Sequence, residues 1–155
     1  MLKAALTAVL AALLLASPAV AQDEPEIIKG WAQIIGGDRL RLGDRRVRFY
    51  GVDAPERGEP GFEAATAEMK KQAEGDFVFC EIVERDRDGW GIAICKGLLA
   101  GEEYGLVDLP LGLGLVKVYR EYEHLRPDVI RLYGFLEMAA KSSCRGLWAN
   151  EAECR

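Results

Sequence analysis

The run RVRFYGVDAPERGEP, residues 46–60, decides how the chain is read. Val47 and Phe49 alternate with Arg46 and Arg48, the period-two pattern of a strand with one buried face. Past Gly51 the pattern changes, and Asp53, Ala54-Pro55 and Glu56 follow in close order. In an unbroken strand, Arg48 and Asp53 would point to opposite faces, because their spacing is odd. They can meet only if the chain bends between them, and Gly51 is the residue that permits a bend. Two carboxylates around a proline, shortly after an arginine, are either a solvated turn or half of a site for a phosphate ester.

The flanking text supplies the frame. Upstream, IIKGWAQII (27–35) and DRLRL (38–42) read as two strands on either side of Gly36-Gly37. Gly43-Asp44 is a two-residue hairpin turn into a third strand, RRVRFYGV (45–52). Downstream, GFEAATAEMKKQAEG (61–75) changes period: Phe62, Ala65, Met69 and Ala73 form a helical stripe, and Gly75 is its C-cap. DFVFCEIVE (76–84) and WGIAICK (90–96) read as a strand pair around a polar turn. Between 102 and 119, Pro110, Gly112 and Gly114 argue against a long helix. RPDVIRLYGFLEMAAKSSCRG (126–146) reads as a long helix with Pro127 near its start and Gly146 at its end, after which Leu147-Trp148 dock back. The expected fold is mainly β with α. Five antiparallel strands, with a helix inserted after the third, predict a five-stranded OB-fold barrel with about three packed helices.

Residues 1–21 have the composition of a signal peptide. Lys3 precedes the apolar run Ala4–Ala16, and Ala19-Val20-Ala21 offers a small-residue cleavage site. The apolar run is too short and alanine-rich for a stable membrane anchor, so none is expected. Cleavage near Ala21 predicts an exported protein, periplasmic or secreted. The mature chain divides into a polar leader at 22–29, with strand-like text already from Ile27, a domain at 30–148 and a C-terminal tail at 149–155; a monomer is expected. Without Lys3, 19 basic residues face 25 acidic ones, a net charge of −6. That counts against a nucleic-acid binder working through overall basicity. A local patch is still available from Arg39, Arg41, Arg45, Arg46, Arg48, Arg85 and Arg87.

Four cysteines in an exported chain predict two disulfides. Cys80 and Cys95 flank EIVERDRDGWGIAI, and a hairpin centred between Arg87 and Asp88 sets them opposite each other. Opposed strand residues lie at Cα separations of about 4.5–5.5 Å, which a disulfide spans. Cys144 then pairs with Cys154 and ties down the tail. No Cys-x-x-Cys spacing occurs and His124 is the only histidine, which argues against zinc.

Taken together, GGDRLRL (36–42), RVRFYGVDAPE (46–56), DRDGWGIA (86–93), GLVKVY (114–119) and RGLW (145–148) resemble the staphylococcal nuclease (thermonuclease) family, in the family's order and over about Gly30–Trp148. The resemblance implies an OB-fold barrel that hydrolyses phosphodiesters of DNA and RNA with one calcium ion. By resemblance, Asp38 and Asp53 are carboxylate ligands of calcium and the Ala54 carbonyl is a third. Glu56 matches the residue that orients or deprotonates the attacking water, and Arg48 the one that holds a phosphate oxygen. Tyr122 falls where the family has a tyrosine contacting the nucleotide phosphate. These residue types suit the chemistry: a hard cation takes oxygen ligands, and a guanidinium offers paired donors to an oxyanion.

Two departures bear on activity. The family's Asp-Gly-Asp-Thr at the first metal turn is Gly36-Gly37-Asp38-Arg39 here, and Trp90 stands at the position of the second catalytic arginine. Indole has one N–H and no charge, and losing one preorganised donor of this kind typically costs roughly 10²–10³ in rate. Arg39 and Arg87 are the candidates to contact substrate in its place, while Trp90 packs at the barrel mouth or stacks on a base. The expectation is therefore an exported, calcium-dependent nuclease of weakened or altered activity acting on DNA or RNA. The alternative is a degenerate nuclease domain that binds nucleic acid, another ligand or a protein.

Overall fold

In the computed structural model, which describes residues 24–154, the alternating segments close into a barrel. The expected signal peptide and its cleavage point lie outside the described residues. The strands are β1 (Ile27–Ile34), β2 (Arg39–Leu42), β3 (Arg45–Phe49), a two-residue β4 (Val52–Asp53), β5 (Phe77–Arg85), β6 (Gly91–Leu99), β7 (Glu102–Gly105) and a two-residue β8 (Lys117–Val118). The helices are α1 (Phe62–Ala73), α2 (Asp108–Gly112) and α3 (Pro127–Ser142). Because β1 begins at Ile27, the last three residues of the segment expected as leader are strand, paired with β5.

The main sheet runs β3-β2-β1-β5-β6-β7, and a pairing of β3 with β6 closes it. Five strands form the ring and β7 extends it beyond β6. The sequence predicts all five antiparallel; the closing β3–β6 pair is parallel. The reason is arithmetic, since a closed ring with an odd number of strands cannot alternate direction throughout. The result is the mixed, mainly-β barrel with helices outside that an OB-like fold requires.

Alternation places Leu40, Leu42, Val47, Phe49, Val78 and Ala93 inside the barrel, while Ile92, paired with Arg48, is buried on the opposite face of β6 and lines the mouth. Helix α1 buries Phe62, Ala65, Thr66, Met69 and Ala73, the stripe expected from its spacing. Gly75 follows it with a positive φ of 79°, as a C-cap glycine does. Gly43-Asp44 is the turn between β2 and β3, where Leu42 pairs with Arg45.

Cys80 and Cys95 sit opposite each other on β5 and β6 with Cα atoms 4.1 Å apart, and are bonded. A bulge between Ile82 and Glu84 shifts the register closer to the turn. Cys144 is bonded to Cys154 and anchors the tail. Two disulfides fit an oxidising compartment. No described helix is long and apolar enough to cross a membrane.

The long helix stops earlier than Gly146. It ends at Ser142, and Cys144 takes the left-handed conformation (φ 51°) normally left to glycine. The Arg145 N–H donates to the Ala140 carbonyl and the Cys144 N–H to that of Lys141, a Schellman closure. Gly146 serves a different contact: a Cβ there would lie 2.3 Å from the Gly114 carbonyl oxygen. The close approach lets the Leu147 N–H donate to that oxygen at 2.8 Å and docks Trp148 into the body.

Candidate phosphate site at the barrel mouth

The bend required by the Arg48/Asp53 spacing is present. Strand β3 ends at Phe49, Gly51 has a φ of 72°, and β4 turns away to pair with β8, setting Asp53 opposite Lys117. The Gly51 carbonyl accepts the Tyr119 N–H at 2.9 Å, which fixes the departing chain. A Cβ on Gly51 would lie 2.5 Å from Cδ1 of Ile130, so the bend is also tight against α3. With this kink Arg48 and Asp53 line one cleft of about 140 Å³, together with Tyr119 and Tyr122. The Tyr50 hydroxyl, buried behind them, donates to the Tyr122 carbonyl at 2.8 Å and accepts the Arg126 N–H. It thereby ties the tyrosine-bearing loop to the barrel.

The first turn is packed from beneath. A Cβ on Gly37 would approach those of Ala65 and Ala54 to 2.7 and 2.9 Å, so only glycine lets this turn lie on α1 and on the Asp53–Glu56 segment. Asp38, which follows, is 2% exposed, and its carbonyl accepts the Phe49 N–H. Arg39 and Arg48 are direct cross-strand partners on β2 and β3. Like charges so placed repel unless a carboxylate lies between them. Asp38 is that carboxylate: Arg39 Nε donates to Oδ1 at 2.8 Å and Arg48 Nη2 lies 3.6 Å from Oδ2.

Arg39 reaches further. Its Nη2 donates to Glu56 Oε1 at 2.5 Å, bridging the first turn to the Asp-Ala-Pro-Glu turn. Burial opposes the Arg39 cation, but the hydrogen bonds and charges of Asp38 and Glu56 outweigh it and hold its pKa above the ordinary value. Asp53 makes no ion pair among the described residues. Partial burial, then the neighbouring Asp38 charge, push its carboxyl above the usual range, while Arg48 and Arg39 pull the other way. Ala54 is buried beside it.

On the hairpin, Asp86 Oδ1 accepts the backbone N–H groups of Asp88 and Trp90 and shapes the turn. Trp90 borders a second cleft of about 160 Å³ with Arg39, Arg48, Asp86 and Asp88, and the Arg46 guanidinium lies 4.8 Å from its ring centroid. Such a pair is a cation–π contact. Arg87 is exposed at the hairpin tip and takes part in none of the cluster's ion pairs. Arg85 is held away by Glu26, at 2.7 and 2.8 Å.

Arg48, Asp38, Asp53, Ala54, Glu56, Arg39, Trp90 and Tyr122 are thus gathered at one mouth, and Arg87 is not. The sequence reading passes over Tyr50 and names Arg46 only as part of a general basic patch, without its contact to Trp90. Period two does put Arg46 on the face of Arg48, toward the mouth. Tyr50 carried no local signal, since its partners lie more than 70 residues away.

The donor set does not suit calcium as arranged. Calcium takes about 6–8 oxygens at about 2.3–2.6 Å. Both Asp38 oxygens and one Glu56 oxygen instead face guanidinium groups. A dication placed among these carboxylates would also face the Arg39 and Arg48 cations already paired with them. Among the described residues, no group of three or more His, Cys, Asp or Glu side chains is arranged to hold a metal. No protein-family model matches the chain, and no curated protein matches it.

Proposed function

We propose that this is an exported, thermonuclease-like domain whose barrel mouth binds single-stranded DNA or RNA by a phosphodiester group and turns it over poorly, if at all. One observation carries the reading: Arg39 holds the carboxylate that the hydrolytic role would need, Glu56, in an ion pair. Oε1 of Glu56 is thus occupied by the Arg39 guanidinium rather than open to a water, and Trp90 supplies no charge to a leaving oxygen. Binding is better served. Arg48 presents donors at the rim of both clefts, Arg39 borders one of them, and Trp90, Tyr119 and Tyr122 offer ring faces for bases. Base–aromatic stacking contributes roughly 1–3 kcal/mol per base and tolerates any sequence.

Calcium-dependent hydrolysis of the same strands is the second reading. The convergence of Arg48, Asp38, Asp53, Ala54 and Glu56 on one mouth supports it, and it needs Arg39 to release both carboxylates.

Fluorescence anisotropy of a labelled single-stranded oligonucleotide, with and without calcium, separates the two. Binding through two or three arginines gives a salt slope of about −1.4 to −2.1, from about −0.7 per phosphate neutralised. Calcium-stimulated cleavage well above an Asp53→Asn, Glu56→Gln double variant would refute the binding reading in favour of the second. No binding in either condition would refute both.

A further inference from the structure

We infer that the Arg39 guanidinium takes the place of a divalent cation in this mouth, so that the site meets a phosphodiester oxygen without metal. The inference rests on the barrel mouth being a phosphate site, and it specifies how that site is charged.

Four observations lead to it. Arg39 joins Asp38 to Glu56, 17 residues further on, and so links the two turns that a shared cation would link. Asp38 is 2% exposed, and a buried carboxylate needs a partner; Arg39 and Arg48 provide it from both sides. The charge count points the same way. Asp38, Asp53 and Glu56 against Arg48 alone carry −2, a site for a cation; Arg39 takes up half of that charge and leaves −1, where a dication would leave none. Finally, Arg39 spends Nε on Asp38 and Nη2 on Glu56, while Nη1 has no hydrogen-bond partner among the described residues. The residue borders the same cleft as Arg48 and Trp90, where that donor is available to an anionic oxygen. A guanidinium suits this task because its donors are fixed in a plane and its charge is permanent.

The test is thermal melting of the full mature chain in EGTA and in calcium, for the wild type and for Arg39→Thr. The wild-type Tm should be the same in both. Arg39→Thr should melt lower in EGTA, because Asp38 loses a partner. It should then gain roughly 5 °C in calcium at about tenfold its Kd. Calorimetric titration should show one calcium site in the variant and none in the wild type. A wild type that gains as much as the variant would overturn the inference, and so would a folded variant that gains nothing. Should Arg39→Thr fail to fold, Arg39→Lys keeps the charge and should stay insensitive to calcium; a calcium-dependent rise there also overturns the inference. Oligonucleotide anisotropy in EGTA is an independent check. Binding that requires calcium in the wild type contradicts the inference. Failure to bind with or without calcium refutes the phosphate-site reading, while the melting data still decide what Arg39 replaces.

Discussion

Replacing Gly51 by alanine tests the bend on which the whole site depends. Two costs apply. A φ of 72° costs an L-residue about 1–2 kcal/mol. The new methyl would also lie 2.5 Å from Ile130 Cδ1 and 3.2 Å from Tyr133 Cδ2. Ile130 and Tyr133 are buried on α3, so neither has free space to retreat into. Overpacking of that kind costs about 1–3 kcal/mol. The expected loss is therefore about 2–5 kcal/mol, or roughly 8–20 °C in Tm for a domain of this size. Gly43 supplies the control. Its φ is 64°, and nothing lies within 4 Å of where its Cβ would be. Gly43→Ala should therefore cost only the backbone share, about 1–2 kcal/mol. Urea unfolding of both variants reads the difference directly, provided the m-values agree. Oligonucleotide affinity should fall further for Gly51→Ala than for Gly43→Ala, because only the former disturbs the cleft shared by Arg48 and Asp53. Equal destabilisation by the two changes would refute the claim that α3 is packed against the bend.

Asp53→Asn should stabilise the protein at pH 7. Its carboxyl is held above the usual range, so the folded state binds the proton more tightly and stability falls as pH rises through the folded pKa; the variant's Tm advantage should shrink toward pH 3–4, where the unfolded group also protonates. Replacing Cys80 and Cys95 together by alanine should cost about 2–5 kcal/mol, since the bond closes a loop of sequence separation 15 in the barrel wall, and urea unfolding with intact Cys144–Cys154 measures it. Trp90→Arg alone should leave nuclease activity near background, because Glu56 stays paired with Arg39. Combined with Arg39→Thr it should raise calcium-dependent cleavage by roughly 10²-fold or more, and a comparable gain in the single variant would contradict the role given to Arg39.

What the sequence made legible follows from how local each signal is. Period-two alternation around Val47 and Phe49, the Gly43-Asp44 turn and the stripe on α1 depend on neighbours within a few residues, and the barrel and its first helix follow from them. The Cys80–Cys95 pairing was legible for the same reason, as symmetry about one turn. Parity alone demanded a bend between Arg48 and Asp53 and pointed to Gly51. Sequence alone misplaces the end of α3, because local residue type favours glycine at the left-handed position. The chain puts Cys144 there, beside a disulfide, and keeps Gly146 for a backbone contact with Gly114. Arg39 is the most instructive residue. In the sequence it reads as damage to a metal turn, a threonine position taken by a bulky cation. Its partners give it a different meaning, and they are contributed by two turns that only the barrel brings together. Where a buried carboxylate and its neighbour lie close together, a guanidinium inserted between them offsets part of the repulsion that a metal would otherwise offset. Arg39 therefore accounts for how Asp38 and Glu56 are held by one side chain across two turns, whatever the site binds.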